Sequence, residues 1–266
     1  MKAVVWVERT SCNYRCPYCI VCQKDIPQAP VTWQQWVERL NALNPGVIDI
    51  TGGEPFMNDN LVDIIAGLNS NICVGLTTNL SKDITQFVQR LPASRLVNMT
   101  LSYHPSQHVT LEQFTGKALL LKNRGFPICV NVVAYPEQMF LIAQLKSHFD
   151  ALGIRLHVDP YSINPPKPYT FNEDEKRYVS SFCGDDRAYR FKAVKSNVVH
   201  CSAGRDYAVI QPDGKVFRCM SMVWKDQAYM GNLFDPDFKL PVEDLPCDQY
   251  FGSCAGCDMD KVTVTP

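Results

Sequence analysis

Short apolar, β-rich runs alternate with amphipathic helical patterns from residue 3 to about residue 160. Six such units predict a parallel α/β architecture, because strand, crossover helix and parallel strand form one repeating unit. Six units are fewer than the eight of a closed barrel, so a partial (β/α)6 barrel or a doubly wound sheet fits the pattern. Most runs are nearly continuously hydrophobic, which predicts a sheet covered on both faces. The runs are AVVWVE, GVIDI, ICVGLTT, RLVNMTLSY, PICVNVVAY and GIRLHVDPY.

Two of the helical patterns have clear beginnings. Thr32 precedes an apolar stripe at helical spacing, and Thr110 with Gln113 has the spacing of a capping box. The aromatic and apolar residues of these stripes are expected to pack in the core.

The sequence pattern changes after Tyr161. The stretch SINPPKPYT is proline-rich and indicates a boundary, and a polar helical patch follows at about 172–183. Further on, two β-type runs flank PDG in YAVIQPDGKVFRCM, which predicts a hairpin. We therefore divide the chain into a barrel over residues 1–165, a connecting segment over 166–200, and a small C-terminal cysteine-rich extension over 201–266.

Composition restricts the partners and the compartment. The chain of 266 residues has a net charge of −1, which argues against nucleic-acid binding. No stretch approaches the roughly 20 consecutive apolar residues of a membrane span, and the N-terminus reads as a first strand rather than a signal peptide. We expect a cytoplasmic protein. The 12 cysteines are then expected to be metal ligands or reduced core residues, such as Cys73 and Cys129 in apolar runs, rather than disulfides.

The most crowded cysteines lie directly after the first strand run. Cys12, Cys16 and Cys19 have C-x3-C-x2-C spacing, which suits a soft centre such as an iron–sulfur cluster. Three protein ligands on a four-iron cluster would leave one iron open to a small molecule. Zinc is an alternative, and with Cys22 as a fourth ligand a fully ligated electron-transfer cluster is another.

Other notable residues also follow strand runs. TGGEP, from Thr51 to Pro55, follows the second run, TTN follows the third, and SYHP follows the fourth. Because ligands of parallel α/β proteins bind at the carboxyl ends of the strands, these stretches are expected to form one site with the cysteine loop.

The cysteine loop and TGGEP together resemble the radical S-adenosylmethionine (radical SAM) superfamily, over about residues 3–160. That superfamily has C-x3-C-x2-C after the first strand, with an aromatic residue before the third cysteine, and a G-G-E motif at the end of the second strand. The resemblance implies that Cys12, Cys16 and Cys19 hold a 4Fe–4S cluster whose open iron chelates the methionine part of SAM. Cys22 is then interpreted as a non-ligand.

The resemblance also implies contacts with SAM. Gly52 and Gly53 would let the backbone approach the methionyl group, and Glu54 or the adjacent backbone would accept a hydrogen bond from its ammonium. Tyr18 would lie against the adenine. His104 has two interpretations, a substrate contact or a structural histidine. Ribose and carboxylate contacts are expected from Asn79, Ser102 and Asn131.

The cysteines near the C-terminus form a second group. Their spacing resembles the opening pattern of SPASM and twitch extensions, C-x9–15-G-x4-C, with Gly214 at the turn of the predicted hairpin. Because no further cysteines follow Cys257, the pattern resembles the shorter twitch form, which implies one auxiliary 4Fe–4S cluster. A zinc ribbon is an alternative, and Cys247 and Cys183 are alternative ligands. The ligands expected from the resemblance are Cys201, Cys219, Cys254 and Cys257.

These features give three hypotheses for function. The architecture is similar to the 2-deoxy-scyllo-inosamine dehydrogenase type of radical SAM enzyme, which implies oxidation of a small polar metabolite with the auxiliary cluster as electron acceptor. A flavodoxin- or ferredoxin-type protein would then be the reductant. The second hypothesis is a peptide-modifying maturase with a peptide substrate. Because the barrel is predicted to begin at residue 3, we expect no N-terminal leader-binding domain in the chain, although such a domain can be a separate protein. The third is a non-catalytic iron–sulfur electron-transfer protein.

Overall fold

A computed structural model describes residues 1–7, 12–19, 26–161, 169–183, 200–227, 229–246 and 264–265. The strands are Lys2–Trp6 (β1), Val47–Thr51 (β2), Cys73–Thr78 (β3), Leu96–Ser102 (β4), Ile128–Ala134 (β5), Leu156–Pro160 (β6), His200–Cys201 (β7), Tyr207–Ile210 (β8), Lys215–Phe217 (β9), Tyr229–Asn232 (β10), Leu245–Pro246 (β11) and Val264–Thr265 (β12). The α-helices are Trp33–Leu43 (α1), Leu61–Gly67 (α2), Thr85–Arg90 (α3), Leu111–Asn123 (α4), Ile142–Ala151 (α5), Glu173–Ser180 (α6) and Met220–Lys225 (α7). Short 3-10 turns span Pro55–Met57, Ala93–Arg95 and Pro136–Leu141.

Six parallel strands, β1 to β6, lie side by side in chain order. Helices α1 to α5 connect them, so the predicted α/β class with six strand–helix units is confirmed. Both predicted helix beginnings are also confirmed. The hydroxyls of Thr32 and Thr110 each accept a hydrogen bond from the backbone N–H three residues on. Their own backbone N–H groups donate to the glutamine side chain at that position, as a capping box requires.

The two faces of the sheet differ in polarity. One face packs against α1 to α5 in a continuous core, to which Val5, Ile48 and Leu101 contribute from the strands. Along β2, β5 and β6, buried residues alternate with partly exposed ones. The partly exposed residues share one face of the sheet, which we call the polar face although Val47 and Val133 also belong to it. Its other members are Asp49, Thr51, Thr77, Thr100, Ser102, Cys129, Asn131, His157 and Asp159.

The prediction of a sheet covered on both faces is therefore wrong for most strands. Only β8 and, from Ala3 onward, β1 are buried throughout. A second hydrophobic cluster covers them on the side opposite the helices, where Val4 and Trp6 pack with Tyr207 and with Met222 of α7. Threonine, cysteine and asparagine occur within the other hydrophobic runs, and they line the face opposite the described helices α1 to α5. Cys73 and Cys129 are accordingly only partly buried.

The strands of the predicted extension continue the same sheet. β8 pairs in parallel with β1, and β9 and β10 add antiparallel strands beyond it. The predicted hairpin is confirmed, since β8 and β9 are antiparallel and Gly214 has a φ of +84° at the turn. The sheet thus crosses the predicted boundary at residue 201, while the division of the chain into separate domains stays a prediction. Among the described helices, none is long and apolar enough to cross a membrane.

Candidate cluster and cofactor site

Loops from four neighbouring strands meet at the carboxyl-terminal edge of the sheet. The cysteine loop follows β1, residues 52–55 follow β2, residues 79–81 follow β3, and residues 103–104 follow β4. Side-chain contacts join the loops, since Asn13 of the cysteine loop donates to the Ser81 hydroxyl at 2.8 Å. The expectation that these stretches come together is met for these four loops.

The three cysteines of the first group lie on one loop. Cys12, Cys16 and Cys19 are all partly exposed, and the Cys19 N–H donates to the Cys16 carbonyl at 3.1 Å. Three accessible thiols after a strand are the donor type that an iron–sulfur cluster takes. Across the described part of the chain, no group of three His, Cys, Asp or Glu side chains is close enough together to hold a metal ion. Their role as cluster ligands therefore stays a prediction. Cys22 lies outside the described residues.

Gly52 has a steric reason of its own to be glycine. Its φ is +128°, and a β-carbon built on it would lie 3.3 Å from Cβ of Trp6. Both the backbone conformation and the neighbouring β1 residue disfavour a side chain there. Gly53 follows in a bend and is partly exposed. The predicted approach of the SAM methionyl group to these glycines is compatible with this open backbone and stays a prediction.

Glu54 joins the loops that follow β2 and β3. The carboxylate is buried, and its Oε1 accepts hydrogen bonds from the Phe56 N–H at 3.0 Å and the Thr78 hydroxyl at 2.7 Å. Oε2 accepts the Asn79 N–H at 2.7 Å. Burial raises the pKa of Glu54, and these hydrogen bonds oppose the rise. Glu54 thus has a structural role within the chain, and its contact with the SAM ammonium stays a prediction.

Asn79 contacts the cysteine loop directly. Its Nδ2 lies 3.1 Å from Asn13 Oδ1 and 3.6 Å from Cys12 Sγ, while its Oδ1 accepts the Ser81 N–H at 2.9 Å. The sequence reading assigned Asn79 to SAM and missed the part played by Asn13 and Ser81. Asn13 lies inside the cysteine motif, and Ser81 lies two residues after TTN. Their closeness in sequence to these motifs was the only feature that could have indicated a role in the site.

Tyr18 is buried against the loops after β4 and β5. Its hydroxyl lies 2.9 Å from His104 Nδ1, and its ring centroid lies 5.1 Å from that of Tyr135. Burial, followed by the negative charge of Cys16, raises the pKa of Tyr18. Burial lowers the pKa of His104 to about 4, so the imidazole is neutral at pH 7. His104 therefore contacts Tyr18 of the cysteine loop, which favours the interpretation of His104 as a structural histidine. Stacking of Tyr18 on adenine stays a prediction.

Ser102 and Asn131 are adjacent on the polar face. They are register partners on β4 and β5, and Asn131 is in turn the register partner of His157 on β6. The backbone carbonyl of Asn131 accepts the Tyr103 N–H at 2.8 Å. The structure thus brings these two predicted contact residues together, on strands that β2 and β3 separate from β1, which precedes the cysteine loop.

The second cysteine group is described only in part. Cys201 is buried and Cys219 is partly buried. Arg218 directly precedes Cys219 and is 5% exposed. Its guanidinium donates hydrogen bonds to the carbonyls of Cys201, Leu245 and Pro246 at 3.3, 3.1 and 2.6 Å. Arg218 thus fixes the segment before Cys219 against β7 and β11.

The remaining candidate ligands of that group fall in two places. Cys254, Cys257 and Cys247 lie outside the described residues. Cys183 packs at the barrel core, and its thiol donates to the Val158 carbonyl of β6 at 3.1 Å. The auxiliary ligand set stays a prediction.

Comparisons with known proteins agree with this architecture. The family model of the Radical SAM superfamily matches residues 10–140. A search of curated proteins found no match. Streptococcus suis SuiB bound to the precursor peptide SuiA is similar in structure, with a TM-score of 0.68 and 16% sequence identity. The match covers 89% of this chain but only 63% of the SuiB chain, so this chain corresponds to less than two thirds of SuiB. anSMEcpe with bound AdoMet has a TM-score of 0.64 and 13% identity, and the match covers 88% of this chain and 75% of that one. At such identities these likenesses show the fold.

Proposed function

Because the chain contains a domain of the radical SAM superfamily over residues 10–140, we propose that it is an enzyme that uses SAM to abstract a hydrogen atom from a small polar metabolite and oxidises that metabolite. A 4Fe–4S cluster bound at Cys12, Cys16 and Cys19 would supply the electron that cleaves SAM to a 5′-deoxyadenosyl radical. The protein's part is to hold the ligands, orient the cofactor and substrate, and exclude water.

The residues of the chain are arranged for this positioning task. Glu54 and Asn79 connect the loops after β2 and β3 to the cysteine loop through hydrogen bonds of 2.7 to 3.6 Å. The Tyr18–His104 contact connects the same loop to β4. Loops that are connected by several hydrogen bonds keep their geometry when a ligand binds, and a fixed geometry favours reaction at one particular hydrogen atom of the substrate.

The polar face is the observation that carries the choice of substrate class. Thr100, Ser102, Asn131, His157 and Asp159 are partly exposed on β4 to β6, next to the edge that carries the cysteine loop. They present hydroxyl, amide, imidazole and carboxylate groups, which suit a ligand with several hydroxyl or amino groups.

The proposal includes an auxiliary 4Fe–4S cluster in the C-terminal segment, ligated by Cys201, Cys219, Cys254 and Cys257. Its support is that Arg218 holds the Cys201 and Cys219 segments together and that Cys219 packs against the cluster containing Trp6 of β1. These four cysteines would hold the cluster with no open iron, and its chemistry would be that of an acceptor for the electron that the substrate radical loses. A flavodoxin- or ferredoxin-type protein is proposed as the donor for SAM cleavage.

Peptide modification is the second candidate. Its support is the likeness to SuiB bound to its precursor peptide and to anSMEcpe bound to AdoMet and the Cp18Cys peptide, the latter with a TM-score of 0.63. In that case the polar face would bind a polar side chain of a peptide rather than a free metabolite.

Anaerobic reconstitution tests the proposed function. The wild-type protein should hold about eight irons and eight sulfides, and the Cys12→Ala, Cys16→Ala, Cys19→Ala triple variant should retain roughly half. With dithionite and SAM, the wild-type protein should release 5′-deoxyadenosine slowly without substrate, and the triple variant should release none. Release by the triple variant would overturn the proposal.

The role of the auxiliary cluster needs a separate measurement. Replacing Cys254 or Cys257 by alanine should abolish the oxidised product while 5′-deoxyadenosine release continues. Product formed by such a variant, verified as folded, would refute the redox role. Zinc in this segment in place of iron would refute the auxiliary cluster but leave the barrel site intact.

A further inference from the structure

We infer that Asn79 is a positioning residue of the SAM-binding cluster that donates a side-chain N–H to Cys12 Sγ and thereby favours the reduced cluster. The inference rests on the proposed function, since it requires a cluster at Cys12, Cys16 and Cys19. It gives Asn79 a role different from the SAM contact that the sequence suggested.

The orientation of the Asn79 amide follows from its surroundings. Its oxygen accepts the Ser81 backbone N–H at 2.9 Å, and a backbone N–H requires an acceptor there. The NH₂ end must therefore face the cysteine loop. One of its hydrogens is directed to Asn13 Oδ1 at 3.1 Å and the other to Cys12 Sγ at 3.6 Å. Both amide hydrogens are thus used within the chain.

Cys12 Sγ has a second donor nearby. The Tyr14 backbone N–H lies 3.4 Å from the sulfur. The protonated Cys12 thiol donates to Asn13 Oδ1 at 3.6 Å. As a thiolate ligand of a cluster, Cys12 Sγ would carry no proton and would only accept, and the Asn79 and Tyr14 N–H groups would be its donors.

The loop that carries Asn79 is held in a strained shape. Leu80 is fully buried and has a φ of +54°, a left-handed conformation that is unfavourable for a residue other than glycine. The Asn79 N–H is bound by Glu54 on one side, and the Lys117 ammonium donates to the Leu80 and Lys82 carbonyls at 2.8 and 2.7 Å on the other. Strain of this kind persists only when the surroundings fix the backbone, and here it directs the Asn79 amide at the sulfur.

A hydrogen bond to a ligating sulfur stabilises the more negative, reduced cluster. Its loss should therefore shift the reduction potential to more negative values. A single net hydrogen bond of about 1 kcal/mol corresponds to a roughly fivefold lower ratio of reduced to oxidised cluster at a fixed potential.

The test is a redox titration of the reconstituted full chain with dithionite, followed by electron paramagnetic resonance. The relevant signal is the one that the Cys12, Cys16, Cys19 triple variant lacks. Asn79→Leu removes the donor, and Asn79→Asp keeps the oxygen that accepts Ser81 N–H but replaces the donor by a negative charge. The order of reduction potentials should be wild type, then Asn79→Leu, then Asn79→Asp. Ser81→Ala is the matched control, since it removes a partner of Asn13 but leaves the N–H to Cys12, and it should titrate like the wild type.

The outcomes separate the two proposals. A wild-type protein without this signal would refute the proposed cluster itself. A wild-type signal with unchanged potentials in both Asn79 variants would overturn the inference and leave the proposed function intact. If neither variant retains four irons at this site while Ser81→Ala does, Asn79 has a structural role only, and the inference is likewise overturned.

Discussion

His104 should make the stability of this protein depend on pH in a defined window. Its imidazole lies against the Tyr18 hydroxyl, and burial lowers its pKa from 6.5 to about 4. The folded state therefore disfavours the protonated ring. The stabilisation relative to the unfolded chain is complete above pH 6.5 and is lost progressively as the pH falls toward 4.

The size of the effect follows from the same values. At about 1.4 kcal/mol per pH unit, a fall of the pKa from 6.5 to about 4 corresponds to at most about 3 kcal/mol. His104 is partly exposed, so solvent screening reduces this, and we expect about 2 kcal/mol.

Urea unfolding of the wild type and of His104→Gln at pH 7.5 and 4.5 measures the effect. Other groups titrate in this range in both proteins, so the informative quantity is the difference between their losses of unfolding free energy. The wild type should lose about 2 kcal/mol more than His104→Gln. His200→Gln is the matched control, because His200 is exposed on β7, and it should behave like the wild type. Equal losses for the wild type and His104→Gln would refute the reasoning.

Three further predictions concern other parts of the molecule. Glu54→Gln leaves one of its three buried donors without an acceptor and should lower the free energy of unfolding by about 1–3 kcal/mol, measured with urea; an unchanged value would show that the loops after β2 and β3 do not depend on this carboxylate. Gly214→Ala should destabilise the hairpin, since its φ is +84° and a β-carbon would lie 2.5 Å from the Phe234 ring; a melting temperature equal to the wild type would contradict this. Cys16→Ala should abolish 5′-deoxyadenosine release and Cys22→Ala should not; loss of release in the second variant would make Cys22 a ligand.

Much of the chemistry in this chain is encoded at short range. The spacing of Cys12, Cys16 and Cys19 and the Gly52-Gly53-Glu54 run lie within single loops, so their residue types and intervals can be read directly. The capping boxes at Thr32 and Thr110 and the turn at Gly214 were predictable for the same reason, because each depends on backbone and side chains within a few residues.

The arrangement between distant segments was decided by tertiary structure. Nothing in the sequence places β8 beside β1, because strand pairing across some 200 residues depends on the register of the whole sheet. The partners of Asn79 are likewise set by two loops that are 66 residues apart in sequence. The hydrophobic runs also led to an overestimate of how much of the second face of the sheet is buried. The sequence thus determined which side chains are available at the end of each strand. Contacts between loops decided that Asn79 and Glu54 bind other parts of the chain, because a polar side chain forms hydrogen bonds with whichever group the fold brings within about 3 Å.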